Sequence, residues 1–129
     1  MAGLGDVMVR VLVCGGRDFY NKALLKKTLD EIHAKTPITC LIQGGAKTGA
    51  DWLAKHWGTA YGGLRKDQQE EYEANWAAYK KGAGPIRNTF MLQMSRPDLV
   101  VAFNTGGPGT ADMMRKARSA KVKVLEINA

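Results

Sequence analysis

Four short runs of mainly apolar and β-branched residues recur along the chain. They cover residues 8–14, 39–43, 98–103 and 122–127. A nearly continuous apolar run of this length is typical of a strand that is buried on both faces of a parallel sheet. We therefore predict four strands of this buried kind, and Leu64 is a candidate start for a short additional strand.

The segments between these runs carry apolar residues at helical spacing, and each such set marks one face of a helix. Pro85 suits the first turn of a further helix over residues 85–95. Strands that alternate with helices predict the α/β class with a mainly parallel sheet. The three apolar sets are Leu25, Leu29 and Ile32; Leu53, Ala54, Trp57 and Tyr61; and Met113, Met114 and Ala117.

Residues 64–83 show no clear period. Their acidic residues and the following lysines favour a solvated helix or an ordered excursion. Trp76 and Tyr79 are interpreted as cover for the core in preference to ligand contacts.

Composition narrows the class of protein further. The 129 residues, of which 45% are hydrophobic, are enough for one core, so a single domain over residues 1–129 is predicted. No apolar run approaches the ~20 residues that cross a bilayer, so we expect a cytoplasmic protein without a membrane partner. Cys14 and Cys40 lack metal-site spacing and are expected to be buried thiols. The net charge of +7 favours an anionic partner, either a phosphate-bearing ligand or nucleic acid.

Three of the predicted strands run directly into glycine, in VCGGRDF, IQGGAKTGAD and AFNTGGPGTAD. In a parallel sheet these turns lie at the carboxyl edge, where they can converge on one crevice. Glycine lets backbone N–H groups approach an anion, and the following helix adds its positive end. The sequence therefore predicts a phosphate or pyrophosphate site whose backbone donors come from Gly15, Gly16, Gly44, Gly45, Gly106, Gly107, Gly109 and Thr110, the Thr110 hydroxyl either capping the helix or donating to phosphate.

Two better-known phosphate motifs do not fit these loops. Asp112 stands where a G-x-G-x-x-G motif starting at Gly107 has its last glycine. The loop with Lys47 and Thr48 lacks the two glycines of a P-loop, where Ala46 and Leu41 stand instead.

Read together, VCGGRDF, QGGAKTGADWLAKHW, AGPIRNTFML and RPDLVVAFNTGGPGTADMMRKA resemble the DUF2493 family, the YspA or cpYpsA-related group of the SLOG superfamily. The resemblance implies a Rossmann-like, three-layer α/β domain whose glycine loops bind nucleotides or nucleotide-derived molecules. Relatives in the superfamily include the LOG phosphoribohydrolases, the single-strand DNA-binding protein DprA, and sensor domains for NAD-derived signals.

The LOG pattern P-G-G-x-G-T-x-x-E resembles TGGPGTADM, with Met113 in place of the glutamate. The LOG pattern R-K-x-x-M resembles RNTFM, which matches Arg87 and gives Asn88 for the lysine. At the first turn of the predicted helix, the planar fork of Arg87 can hold a phosphate bidentately, the alternative being a surface or ion-pair arginine, and Asn88 is a candidate ligand-site residue. If the chain is an enzyme, Arg87 and Asp112 are the predicted catalytic pair.

Arg17 and Asp18 follow the first glycine pair and are candidates for contacts with phosphate and a ribose hydroxyl. The alternatives are that Asp18 caps the first helix or that the two residues pair. Asp51, near the start of the second helix, is interpreted as a structural residue that favours the helix dipole.

The favoured function is binding of a nucleoside phosphate, ADP-ribose or NAD derivative by a sensor, carrier or sequestering protein. The alternatives are a phosphoribohydrolase acting on nucleoside 5′-monophosphates and a single-stranded nucleic-acid binder. Nucleic acid is the less favoured partner because the basic residues are spread along the chain. We expect no metal and no cofactor, and the LOG resemblance makes a homodimer plausible.

Overall fold

The computed structural model describes residues 9–129 and contains a five-stranded, all-parallel sheet. The four predicted strands are present with their ends shifted by single residues, and Met8, at the predicted start of the first strand, lies outside the described residues. The predicted α/β class is confirmed. The strands are β1 Val9–Gly15, β2 Ile38–Gln43, β3 Gln69–Glu71, β4 Leu99–Asn104 and β5 Lys123–Asn128.

Helices cover both faces of the sheet, which gives the three layers of a Rossmann-like domain. The first two helices pack on one face and the two long later ones on the other. Single 3-10 turns lie at Lys66–Gln68 and Lys80–Gly82. The α-helices are α1 Lys22–Lys35, α2 Gly49–Ala60, α3 Trp76–Tyr79, α4 Ala83–Ser95 and α5 Pro108–Ser119.

Strand β4 shows why the central strands are continuously apolar. Val101 and Phe103 pack into the core beneath α1 and α2, while Val100 and Ala102 pack into the core beneath α4 and α5. Successive side chains of a strand point to opposite faces, so a strand with helices on both sides needs apolar residues at every position.

Strand β5 departs from the predicted buried kind because it is an edge strand. It pairs only with β4, and its Leu125 is 39% exposed.

The segment before α4 also differs from the prediction. Leu64 is not in a strand. The additional strand is β3, which begins five residues later with polar residues and forms the edge of the sheet opposite β5. Trp76 and Tyr79 are 45% and 52% exposed, so their interpretation as core cover is wrong. Of the two forms expected for this segment, a solvated helix or an ordered excursion, the structure has the second, built from a 3-10 turn, a polar strand and a short helix.

The strand order β3-β2-β1-β4-β5 places the reversal of the chain's direction between β1 and β4. From β1 the chain moves outward through β2 to β3, then returns past β1 to β4 and β5. The loops after β1 and β4 therefore leave the sheet toward opposite faces. A crevice at the carboxyl ends of the strands is expected at such a switch point.

Gly49, the first residue of α2, lets this helix approach the loop after β1. Its φ is +76°, and a Cβ there would collide with the carbonyl oxygen of Gly16 and lie 2.6 Å from Arg17 Cα. The close approach is fixed by a hydrogen bond from Ala50 N–H to the Gly16 carbonyl, 3.2 Å between nitrogen and oxygen.

Replacing Gly49 with alanine should therefore destabilise the fold through both strain and collision. Gly63 is a matched control because its φ is +63° but a Cβ there would meet nothing within 4 Å. We expect G63A to lower the free energy of unfolding by about 1–2 kcal/mol, the cost of the left-handed conformation, and G49A to lower it by clearly more. Urea unfolding of the two variants measures the difference, and equal losses would contradict the role given to Gly49.

Candidate functional site

The loops after β1, β2 and β4 line one cavity at the carboxyl edge of the sheet. Its volume is about 580 Å³, within the range of small-molecule sites. An adjoining cavity of about 380 Å³ lies on the β2 side. The larger cavity is lined by the predicted residues Gly15, Gly16, Arg17, Asp18, Gly44, Arg87, Asn88, Gly106, Gly107, Gly109 and Thr110, and the smaller by Gly45.

Packing inside the chain accounts for the glycines that follow β1. A Cβ on Gly15, the last residue of β1, would lie 2.7 Å from both Ala50 Cβ and the Phe103 carbonyl oxygen. A Cβ on Gly16 would collide with the side chains of Thr105 and Asp18. These two glycines therefore allow the loops and α2 to come together.

The glycines that follow β4 have a different character. Gly106 has a φ of +95°, which favours glycine for its backbone alone. For Gly107 and Gly109 the φ is not positive, and a Cβ would meet nothing within 4 Å. Packing within the described part of the chain does not require glycine at either position, and the space beside this backbone is open to a ligand.

The same loop leaves the start of α5 without a side-chain cap. Gly107 is the N-cap and Pro108 the first helical residue, and no side chain accepts a hydrogen bond from the first turn. Helix α1, in contrast, is capped by Asn21, whose Oδ1 accepts from Leu24 N–H at 3.0 Å. Thr110 lies inside α5, so the alternative that it caps this helix is wrong. Pro108 carries no N–H and Ala111 N–H donates to the Gly107 carbonyl at 3.3 Å, so the first-turn amides without a hydrogen-bond partner among the described residues are those of Gly109 and Thr110, which both line the larger cavity.

Arg87, near the start of α4, joins three segments around the cavity. Its Nη1 donates to the carbonyl oxygens of Gly44 and Tyr72, the latter at 3.2 Å. Its Nε donates to Asn88 Oδ1 at 3.0 Å. Burial lowers the pKa of Arg87 against an opposing effect of Asp51. Within residues 9–129 only Nη2 has no hydrogen-bond partner, so a bidentate phosphate contact would require Nη1 or Nε to leave its present acceptor.

Asn88 is buried and uses its amide to connect α4 to α5. Its Nδ2 donates to the Gly109 carbonyl oxygen at 3.2 Å and to Asp112 Oδ2 at 3.1 Å. With Oδ1 accepting from Arg87, both ends of the amide are used. Asn88 borders the cavity and holds the loop after β4 in position.

Asp112 does not line either cavity. It forms ion pairs with Arg115 and, at 2.9 Å, with Lys116. Burial raises its pKa, but the hydrogen bonds from Lys116, Asn88 and Arg115 outweigh that effect, and the pKa of Asp112 lies below its ordinary value. Met113, at the position of the LOG glutamate, is fully buried in the core beneath α4 and α5.

The carboxylates that line the larger cavity are Asp18 and Asp51. Asp51, on the first turn of α2, is 9% exposed, and its Oδ2 accepts from Ala46 N–H at 3.1 Å. Burial raises the pKa of Asp51 above its ordinary value. Burial also raises the pKa of Cys14, which lines the same cavity, to about 12. From the sequence Asp51 is interpreted as a structural residue, but its place directly after a glycine loop is also a signal for a residue that borders a site.

Arg17 and Asp18 make separate contacts. Thr105 Oγ1 donates to Asp18 Oδ1 at 2.7 Å and so joins the loops after β1 and β4. The Arg17 guanidinium lies 4.9 Å from the centre of the Trp76 ring. Both alternatives for this pair are therefore wrong, since Asn21 caps α1 and the two residues do not pair. Trp76, which sequence analysis assigned to the core, lines both cavities.

Two further features of the described residues bear on the partner classes. Among residues 9–129, no three or more histidine, cysteine, aspartate or glutamate side chains are placed to share a metal ion. None of the helices in that range has the length and apolar character needed to cross a membrane.

Comparison with known proteins agrees with the sequence resemblance. Residues 9–79 match the YAcAr family, described as the YspA, cpYpsA-related SLOG family. The chain is also 32% identical over 124 residues to the Gene 61 protein of Mycobacterium phage D29, covering 92% of this chain and 95% of the phage protein. The family match includes the loops after β1 and β2, while Arg87 and the loop after β4 lie beyond it.

The opposite pKa shifts of Asp51 and Asp112 predict opposite effects of removing their charges. A raised pKa means that ionised Asp51 opposes folding. This penalty is absent below the pKa of the unfolded state, about 3.9, and it grows as the pH rises through the pKa of the folded state. A lowered pKa means that ionised Asp112 supports folding above its unfolded pKa, and that support is lost as pH falls. At pH 7 we expect D51N to raise the melting temperature and D112N to lower it.

Circular dichroism melts of both variants between pH 3 and pH 8 measure these effects, and both differences from the unmutated protein should shrink as the pH falls below about 4. Equal destabilisation by D51N at every pH would show that Asp51 is needed for packing and that its charge is not a net penalty.

Proposed function

The chain belongs to the YspA, cpYpsA-related SLOG family, and from that premise we propose that it binds a nucleotide or nucleotide-derived small molecule in the larger cavity. Membership of a SLOG family suggests nucleotide-related binding or processing. The finer proposal, binding by a sensor, carrier or sequestering protein, depends on the residues that line the cavity.

The observation that carries the proposal is the open backbone at Gly107 and Gly109. Both positions have room for a Cβ, and the first turn of α5 has no side-chain cap. A phosphate group can approach this backbone and accept hydrogen bonds from its amides, while the positive end of the helix dipole favours the negative charge. Such a ligand explains glycine at two positions where the protein's own packing does not require it.

The surroundings of this turn suit a ligand that carries both an anion and hydroxyl groups. Arg87, whose Nη2 has no hydrogen-bond partner among the described residues, and the buried Thr110 border the same cavity and offer further donors. Asp18 and Asp51 supply acceptors, which sugar hydroxyl groups need. A nucleoside phosphate, ADP-ribose or an NAD derivative combines these groups.

Binding without turnover is favoured by the state of the predicted catalytic residues. An oxocarbenium-like transition state at a ribose is stabilised by a carboxylate beside it. Met113 is a core residue, and Asp112, which borders neither cavity, has both of its carboxylate oxygens engaged by other side chains. This arrangement is suited to holding a ligand, and we expect the protein to act as a sensor, carrier or sequestering protein.

A second candidate function is hydrolysis of the N-glycosidic bond, and Asp51 is the observation that favours it. Its carboxyl group lines the cavity, and burial raises its pKa, which favours a proton donor. In such a reaction water adds to the ribose carbon, the bond to the base breaks, and the base leaves with a proton.

Substitution of Gly109 by valine tests the binding proposal. The side chain would enter the open space beside the amides and exclude the phosphate, so G109V should lose ligand binding and keep its fold. G82V is a matched control, because Gly82 borders neither cavity and a Cβ there would meet only Ile86 Cδ1, at 3.8 Å.

The measurement is mass spectrometry of small molecules released from each denatured protein, followed by calorimetric titration with a panel of nucleotides. We expect the unmutated protein and G82V to bind the same nucleotide and G109V to bind none. If no nucleotide binds the unmutated protein at millimolar concentration, the proposed function is wrong. If G109V unfolds, the fold itself requires glycine at position 109, and the observation that packing leaves this position free is wrong.

The hydrolase candidate is tested by incubating the protein with nucleoside 5′-monophosphates and measuring free base by chromatography. If it holds, base release should be lost in D51N and retained in D112N, because only Asp51 borders the cavity. Absence of base release from every monophosphate would leave binding as the function, and release that survives D51N would exclude Asp51 as the proton donor.

A further inference from the structure

Trp76 lies in a position that the fold itself does not explain. It begins the four-residue helix α3 between β3 and α4, and the residue is 45% exposed. Asn75 caps this helix, its Oδ1 accepting from Ala78 N–H at 3.1 Å, which fixes the backbone that carries the indole. A large apolar side chain held at the surface by an ordered turn marks a contact surface more often than a core position.

The indole borders both cavities and so stands where they adjoin. Tyr79, on the same short helix and 52% exposed, borders neither. Exposure is therefore common to the aromatic residues of α3, but only Trp76 is directed at the site. Gly84 of α4 is a neighbour of the indole, and a Cβ there would make only an ordinary van der Waals contact of 3.5 Å with Trp76 Cη2.

The Trp76 ring already has a planar cation over it within the chain. The Arg17 guanidinium, a planar cation, lies over the indole with its central carbon 4.9 Å from the ring centre. Planar, electron-poor groups are favoured partners of an indole face, and nucleobases stack on tryptophan in the same way. Arg17 borders both cavities as well, so the stacked pair forms part of the cavity wall.

We propose that Trp76 stacks against the nucleobase of the bound ligand, so that the site selects intact nucleotides over base-free sugar phosphates. The inference rests on the proposed function and extends it by assigning the base end of the ligand. The amides at the start of α5 take the phosphate, and the indole at the junction of the cavities takes the base. Stacking on one ring is tolerant of base identity, so the selection is for the presence of a base.

The test compares ligands with and without a base. Binding of 5′-AMP, ADP-ribose and ribose 5-phosphate is measured by calorimetric titration for the unmutated protein and for W76A. We expect the unmutated protein to bind the two base-bearing ligands more tightly than ribose 5-phosphate. W76A should weaken their binding about tenfold or more, the usual effect of removing a stacked aromatic ring, and leave ribose 5-phosphate unchanged.

Two further variants separate stacking from a general effect on α3. Y79A removes an equally exposed ring from the same helix and should change no affinity. W76F keeps a smaller aromatic surface and should restore part of the affinity for 5′-AMP.

The outcomes distinguish this inference from the proposed function. If W76A weakens all three ligands equally, or none of them, or if the unmutated protein does not prefer a base, stacking by Trp76 is wrong while the phosphate site stands. If the unmutated protein binds no phosphorylated ligand, the proposed function fails and this inference fails with it. If W76F keeps its affinity while W76A and Y79A both lose affinity, the loss reflects the stability of α3, and stacking by Trp76 is wrong.

Discussion

The hydrogen bonds of the neighbouring residues Arg87 and Asn88 connect the segments that line the larger cavity. Arg87 donates to the carbonyl of Gly44 in the loop after β2, and Asn88 donates to the carbonyl of Gly109 in the first turn of α5, directly after the loop that follows β4. Adjacent residues on a helix point about 100° apart, so one turn of α4 can reach both loops at once. The Arg87 Nε bond to Asn88 Oδ1 ties the two side chains together. Together the two side chains connect the loop after β2 to the first turn of α5.

These bonds also explain how polar groups are accommodated beside two apolar cores. A buried amide that loses one partner suffers the full penalty of an unmade hydrogen bond, which is about 1–3 kcal/mol. Asn88 avoids that penalty because its oxygen and nitrogen are both used. Arg87 is held mainly by backbone carbonyls, so its charge is not neutralised by a close ion pair and is still felt in the cavity.

The central strands and the helices that flank them could be predicted because burial on both faces leaves a characteristic apolar pattern in the sequence. Strands β1, β2 and β4 lie between two helical layers, and a strand buried on both faces leaves an uninterrupted apolar run. Strand β3 could not be found this way, since Gln69–Glu71 is three polar residues long and pairs at an edge. Strand β5 was found from its apolar residues, but its exposure depends on its edge position, which the local pattern does not contain.

The parts of the site carried by glycine were predictable, and those carried by long-range contacts were not. Each glycine loop follows a strand, so its position at the carboxyl edge follows from the sheet. The exposure of Trp76 depends on how residues 72–82 cross the surface between β3 and α4, for which no periodic signal exists. The burial of Asp51 likewise depends on how closely α2 approaches the loop after β1, and its local sequence is equally compatible with an exposed first turn.

The missing side-chain cap at the start of α5 has a consequence for how the site would respond to acidity. Backbone amides neither gain nor lose protons in the physiological range, so an anion cradle built from them keeps the same donors from one pH to another. A monoester phosphate, in contrast, takes up its second proton near pH 6. Any sensitivity of phosphate capture to mild acid would then originate in the ligand or in Asp51, the cavity carboxyl group whose pKa is raised by burial, while the amide donors themselves stay constant.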